Sequence, residues 1–182
     1  MKKKEIIKFI NKSKKEQNSS SPKYLSNKYV SLSHSILTYT LAMKIKELGG
    51  TVLEIGAGNG VNSQILRYLG VKIYPIDLHP GPGVEKMGHI QGLKKYNPDV
   101  VFMCWPSYND PTAFQVIKKF KKIFIYIGEP RGYSTADEDF FNLLDKEWKL
   151  IYKKQLDSHI DNYLRKHKAN HSLNYFGIYT KY

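Results

Sequence analysis

Three glycines at alternate positions, Gly56, Gly58 and Gly60, follow the apolar run Thr51-Val52-Leu53-Glu54-Ile55. A helix-like stretch, Val61 to Leu69, comes next and closes on Gly70. Glycine tolerates backbone angles and close approaches that a side chain forbids. At a strand-to-helix turn this lets a nucleotide-like ligand lie on bare backbone beside a helix N-terminus. Two acids accompany the glycines: Glu54 stands two residues before the first, and Asp77 ends the next apolar run, Val71 to Ile76. A carboxylate accepts two hydrogen bonds and vicinal ribose hydroxyls donate two, so Asp77 suits a ribose. The dinucleotide fingerprint G-x-G-x-x-G needs its third glycine at Val61, whereas here it falls at Gly60, which disfavours a nicotinamide dinucleotide. A tight turn without a ligand would explain one glycine, but it explains three glycines and two strand-end acids poorly.

A second set of candidates is Trp105-Pro106-Ser107-Tyr108-Asn109-Asp110-Pro111, after the buried-strand pattern Asp99 to Cys104. Open parallel sheets bind ligands at the carboxyl ends of their strands, so this loop faces the same crevice as Gly56–Gly60. Trp105, Pro106, Tyr108, Asn109 and Asp110 are then the residues that shape an acceptor site. The competing reading is a rigid proline turn with its aromatics packed as core. Asp110 is either a cap for the helix opening at Pro111 or a general base. Glu129, ending a later strand, is either catalytic or a structural acid bonding backbone amides of the Gly128–Ser134 loop. Cys104 is better read as an inert buried thiol than as a nucleophile. The six histidines lack metal-ligand spacing, and His159, His167 and His171 lie in a polar stretch, 153–172, read as an exposed connection.

The run E-I-G-A-G-N-G resembles the first motif of class I S-adenosylmethionine-dependent methyltransferases. The resemblance implies S-adenosylmethionine as cofactor, with Gly56, Ala57, Gly58 and Gly60 under its amino acid part. It also implies Glu54 acting through the loop or the cofactor ammonium, and Asp77 on the ribose. Trp105–Pro111 is similar in placement to the D/N/S-P-P-Y/F loop of amino-methyltransferases. There a polar first residue and a backbone carbonyl bind the target nitrogen, and the aromatic ring stacks on the target. Pro106 and Tyr108 match; Trp105 and Ser107 stand where that loop has a polar residue and a second proline. More widely, W-P-S-Y-N-D-P-T-A-F and I-Y-I-G-E-P-R-G-Y-S-T-A-D-E-D-F-F resemble a family of small, uncharacterised methyltransferase-like proteins with a W-P-x-Y-N-D-P loop. This similarity runs from about Lys28 to Tyr182 and implies a shared site that includes Glu129, Gly132 and Thr135.

These residues need a scaffold, and the pattern around them supplies one. Apolar residues at helical spacing from Ser31 to Leu48 predict a helix stopped by Gly49-Gly50. Strands are expected over 51–55 and 71–77, with His89-Ile90-Gln91 as a short third, then over 99–105 and 123–127. Pro111 opens a helix, and Thr135-Ala136-Asp137-Glu138 has the form of a capping box. Trp148–Lys154 and Tyr175–Tyr182 read as two closing strands. Strands alternating with helices predict a Rossmann-like doubly wound sheet, mainly parallel, with helices on both faces. Residues 1–22 are expected to form a loosely attached lysine-rich arm or helix, with Asn18–Pro22 breaking its pattern, and 23–182 the domain.

At 182 residues and 41% hydrophobic, the chain can bury a core and is not a disordered sequence. One cysteine excludes an internal disulfide and fits a reducing, cytoplasmic setting. The start is not a convincing signal peptide, because Lys8 interrupts its apolar run, and no segment approaches a membrane span. A formal net charge of +13 attracts polyanions, nucleic acid first among them. Scattered lysine from an AT-rich genome accounts for the same number. The expected function is S-adenosylmethionine-dependent methyl transfer to an unidentified acceptor, nucleic acid being the class the charge points to. The rival from another class is a non-catalytic accessory or RNA-binding protein on the same fold.

Overall fold

The computed structural model describes residues 3–15, 37–131, 134–156 and 174–182. Alternation of apolar strands and amphipathic helices produces a seven-stranded sheet. Its strands are β1 (Thr51–Ile55), β2 (Lys72–Asp77), β3 (Glu85–Lys86), β4 (Val100–Cys104), β5 (Ile123–Gly128), β6 (Trp148–Gln155) and β7 (Tyr175–Lys181). In space they run β3-β2-β1-β4-β5-β7-β6. The first five are mutually parallel, and β7 enters antiparallel between β5 and β6. The order reverses between β1 and β4, which opens a crevice at the carboxyl ends of those strands.

Both faces are buried, so the strands read as continuous apolar runs with the alternation hidden inside them. Val52, Val100, Phe102, Ile125, Ile127, Phe176 and Ile178 point to one side. They meet α1 (Lys3–Lys15), α2 (Tyr39–Glu47) and α3 (Val61–Tyr68). Leu53, Ile55, Val101, Met103, Phe124, Tyr126, Tyr175 and Tyr179 point to the other. They are covered chiefly by α5 (Thr112–Lys119) and α6 (Glu138–Glu147), with α4 (His89–Tyr96) beside them. This is the Rossmann-like doubly wound architecture expected from the sequence.

Several local expectations change. His89–Gln91 is not a strand: Gly88 is extended and α4 begins at His89, while the third strand is Glu85–Lys86. The helix before β1 starts at Tyr39, where the Thr38 side chain accepts from Leu41 N; residues 31–36 of the expected helix lie outside the described residues. Thr135 does not cap α6. The cap is Asp137, whose carboxylate accepts from Phe140 N at 2.7 Å. Ala136 sits at φ +57° between them, which turns Thr135 inward onto Tyr126 and Glu129.

The N-terminal helix is not a loose arm. Ile6, Phe9 and Ile10 join the core cluster with Ile45 and Leu66, and the Ser13 hydroxyl accepts from Tyr39 N at 2.7 Å. The expected break at Asn18–Pro22 and the histidines at 159, 167 and 171 lie outside the described residues. Among the described residues no helix is long and apolar enough to cross a membrane.

Because Ile10 is 2% exposed, Ile10→Ala should cost about 2–5 kcal/mol in urea unfolding, the range for a truncated core aliphatic. An unchanged midpoint would mean that α1 is not part of the core in solution.

Candidate functional site

The carboxyl ends of β1, β2 and β4 enclose a cleft of about 650 Å³. The glycine loop forms its floor. Gly56, Gly58 and Gly60 all have positive φ (74°, 52° and 65°), which L side chains rarely adopt. A Cβ on Gly56 or Gly58 would meet nothing within 4 Å, so both present open backbone. Gly60 is different: a Cβ there would lie 2.7 Å from Val84 Cγ2, so this glycine serves close packing.

The loop's N–H groups are largely consumed inside the protein. Gly56 N and Ala57 N both donate to Ile76 O, at 3.0 and 3.1 Å. Gly60 N donates to Ala57 O at 2.8 Å. Gly58 N donates to Asp77 Oδ2 at 2.8 Å, and His79 N donates to the other oxygen, Oδ1, at 2.8 Å. Asp77 therefore ties the loop after β1 to the loop after β2. A carboxylate has about four lone-pair positions, so two remain for a ligand.

Glu54 is almost wholly buried and lines the cleft. It accepts from the Ser63 hydroxyl and from the Ser63 backbone N–H, in the first turn of α3. The helix N-terminus thus already faces a carboxyl group of the protein's own. Burial pushes the Glu54 carboxyl up to about 7; the Ser63 hydrogen bonds and the charge of Arg67 pull it down, and Asp77 adds to the rise. Asn62, also buried, accepts from Leu37 N at 2.9 Å through Oδ1 and closes the cleft behind α3.

The β4 side is built by a loop with two non-glycine residues at positive φ, Trp105 (55°) and Asn109 (53°). Trp105 N donates to Ile127 O at 2.7 Å. Ala136 N donates to Pro106 O at 3.1 Å, and Ser107 bridges to Thr135. The loop is thereby fastened to the one after β5. Asp110 Oδ1 accepts from Thr112 N at 2.7 Å, so Asp110 caps the start of α5 and also lines the cleft.

Of the residues expected from the sequence, Glu54, Gly56, Ala57, Gly58, Asp77, Trp105, Pro106 and Asp110 line the cleft. Gly60, Tyr108 and Asn109 do not; Tyr108 is 60% exposed at the tip of its loop. Glu129 lies off the cleft wall and its Oε2 accepts from Ser134 N at 2.8 Å, the structural alternative of the two. Gly132 lies outside the described residues. Thr135 is buried against the Tyr126 hydroxyl at 2.7 Å. Cys104 lines the cleft and is not fully buried. Sequence reasoning missed His79, Met87, His89 and Thr112, all cleft residues. His79, two residues past the strand-end acid, was the one with a readable signal. His89 pairs through Nε2 with Gln115 Oε1 at 2.9 Å. Among the described residues no lysine or arginine lines the cleft. No group of histidine, cysteine or acidic residues suited to a metal occurs among the described residues.

No protein-family model matches the chain, and no curated protein matches it. Solved structures do. A crystal structure of a Thermoplasma acidophilum protein superposes with a TM-score of 0.50 at 15% identity, over 79% of this chain and 86% of that one. Magnesium protoporphyrin IX methyltransferase from Synechocystis, solved with bound S-adenosylmethionine, gives 0.45 at 14% identity, over 78% and 75%. A fibrillarin/Nop5p complex gives 0.41 at 12% identity, over 78% and 80%. At 15% identity the likeness to the Thermoplasma acidophilum protein is one of fold.

The Glu54 shift has a stability consequence. A folded-state value near 7, against an ordinary 4.5, means the folded protein holds a proton that the unfolded chain has lost between those pH values. Stability from this group therefore falls as pH rises from 4.5 to 7, by roughly 3 kcal/mol in all, and stays low above. Glu54→Gln should flatten that decline in chemical denaturation curves at pH 5 to 8; a variant with the same slope as the parent would refute the assignment.

Proposed function

We propose that this protein is a methyltransferase that uses S-adenosylmethionine. The observation that carries this reading is the internal use of the glycine loop's hydrogen bonds. A diphosphate needs free N–H groups, an uncompensated helix N-terminus or a cation. In this cleft four loop N–H groups are spent on Ile76, Ala57 and Asp77, Glu54 already occupies the start of α3, and among the described residues no lysine or arginine lines the walls. The site instead offers carboxylates and open glycine backbone, which suit a cationic, phosphate-free nucleoside. Bound there, S-adenosylmethionine supplies a methyl group on a positively charged sulfur.

Asp77, with two lone-pair positions unused by the protein, is assigned to the ribose hydroxyls. Gly56, Ala57 and Gly58 provide the surface under the ligand. Gly60 shapes the loop from behind, and Glu54 sets it through Ser63 and α3. Trp105, Pro106 and Asp110 form the acceptor side, where the carboxylates among the described lining residues favour a neutral or positively charged acceptor. The exposed tip, Tyr108 and Asn109, is free to meet an acceptor arriving from solvent. With the Asp110 carboxylate partly committed to capping α5, one oxygen is left to take a proton.

One observation favours the accessory-protein reading: the Pro106 carbonyl already accepts from Ala136 N, beside Trp105, which stands where the amino-methyltransferase loop has a polar residue. An accessory protein would bind the cofactor yet release no S-adenosylhomocysteine from it with any acceptor offered.

Calorimetric titration separates the cofactor classes. S-adenosylmethionine and S-adenosylhomocysteine should bind and NAD should not. Asp77→Ala should weaken binding by about 1–3 kcal/mol, the scale for lost charge-assisted hydrogen bonds. Gly58→Val should abolish it, with circular dichroism confirming a folded chain. Tight NAD binding with no response to either sulfur ligand would sink the reading.

A further inference from the structure

Among the described residues, lysine and arginine gather at one end of the sheet. Helices α2 to α6 run back against the parallel strands, so their C-termini share an edge with the strand starts, opposite the cleft. Each carries Lys or Arg in its last turn: Lys44 and Lys46, Arg67, Lys94 and Lys95, Lys118 and Lys119, and Lys146. Lys72 at the start of β2, Lys121 and Lys122 before β5, and Lys149 at the start of β6 lie on the same edge. The acids there are already engaged: Glu47 by Lys44 at 2.9 Å, Asp99 by Lys122 at 2.9 Å, Asp145 by Arg131 at 2.7 Å, and Glu147 by Lys181; of the pole's cations Lys95 is also paired, with Glu85 at 2.6 Å.

Among the described residues the cleft edge is the more acidic, although Lys86, Lys153 and Lys154 also stand near it. Glu54, Asp77, Asp110, Glu129, Asp137 and Glu138 stand there. Of the cations nearby, Arg131 is committed to Glu138 and Asp145 of α6.

Two bland accounts fail. Lysine scattered by composition would load both edges alike; among the described residues the cleft edge carries Lys86, Arg131, Lys153 and Lys154 against the twelve cations named at the pole. Complementing the helix dipoles explains cations in the last turns of helices, but Lys72, Lys121, Lys122 and Lys149 are not on helices. The pole is thus a net positive face in its own right.

Stable binding to a lipid surface takes an apolar insertion besides charge. The apolar side chains exposed near this pole, Tyr68, Leu150, Ile151 and Tyr182, are separated on a helix end and two strand ends, while the cations run the length of the edge. Phosphate backbones need charge alone. We infer that this basic pole is a docking surface for the phosphate backbone of nucleic acid, distinct from the cleft. Strands of five to six residues at about 3.3 Å each set the two sites roughly 16–20 Å apart, on opposite edges. Nucleic acid held there is a tether and not the methyl acceptor. This inference stands whether or not the cleft transfers methyl groups.

The test uses the full chain, a fluorescent mixed-sequence duplex DNA and a single-stranded RNA, titrated over a range of salt. Two variants with the same change in net charge are compared: Lys119→Glu with Lys121→Glu at the pole, and Lys153→Glu with Lys154→Glu near the cleft edge. All four lysines are exposed, so folding should survive. The parent should bind with a steep negative log–log salt slope. The pole variant should lose tenfold or more in affinity near physiological salt, with the duplex slope shallower by about 1.8, two phosphates' worth. The cleft-edge variant should bind nearly as the parent does. Equal weakening by both variants would reduce the effect to net charge and overturn the docking site, as would absence of salt-dependent binding. Binding to phosphatidylserine vesicles but to neither nucleic acid, lost in the pole variant, would overturn it in favour of a lipid surface.

Discussion

The Asp77 carboxylate holds the cleft together. One oxygen takes the Gly58 N–H and the other the His79 N–H, each at 2.8 Å. The loop after β1 and the loop after β2 are therefore fixed relative to one another by a single side chain. The parallel pairing of Ile55 with Ile76 brings the two loops within reach, and Ile76 O accepts from Gly56 N and Ala57 N just beneath. Hydrogen bonds to an ionised acceptor are stronger than neutral ones, and they hold a floor of glycines that has no side chains of its own to pack. The same atoms that would meet a ribose are those that keep the glycine backbone open.

Glu54 shows the cost of this design. A carboxyl in the core is expensive to ionise, and its hydrogen bonds to Ser63 only partly offset burial. The residue is two strand positions from Val52 and shares its side of the sheet, so it faces α3 and not the solvent. There it complements the start of a helix that has no acid in its first turn.

The scaffold was largely legible in the sequence because buried parallel strands and amphipathic helices announce themselves by period and apolar content. Val52 to Ile55, Ile123 to Ile127 and Tyr175 to Thr180 needed no tertiary information. The misread elements are those that depend on a neighbour. His89-Ile90-Gln91 has strand-like composition, but it starts a helix whose Gly92 packs against Ile76 and Leu53, a contact no local pattern records. Thr135 and Glu138 have capping-box spacing, yet the Tyr126 hydroxyl and the Glu129 amide claim Thr135 from across the loop. The glycine loop and Asp77 were visible as a cleft from their types and spacing. Which loop residues face it was not, because the left-handed backbone at Trp105 and Asn109 reverses the side-chain directions that a simple turn would give.

The place of β7 has a consequence for the order in which the sheet is completed. β6 pairs with β7 alone, and β7 also supplies the partner of β5, so the last strand is the link between β6 and the rest of the sheet. On a ribosome, β1 to β5 and their helices can assemble as they emerge. β6, with Leu150 and Ile151 half exposed even when paired, must wait as an unpartnered strand until residues 175–181 have been made. An unpaired strand carrying aliphatic side chains is the species most exposed to wrong association during synthesis. The lysines at 149, 153 and 154 are suited to keep that waiting strand from pairing with another copy of itself.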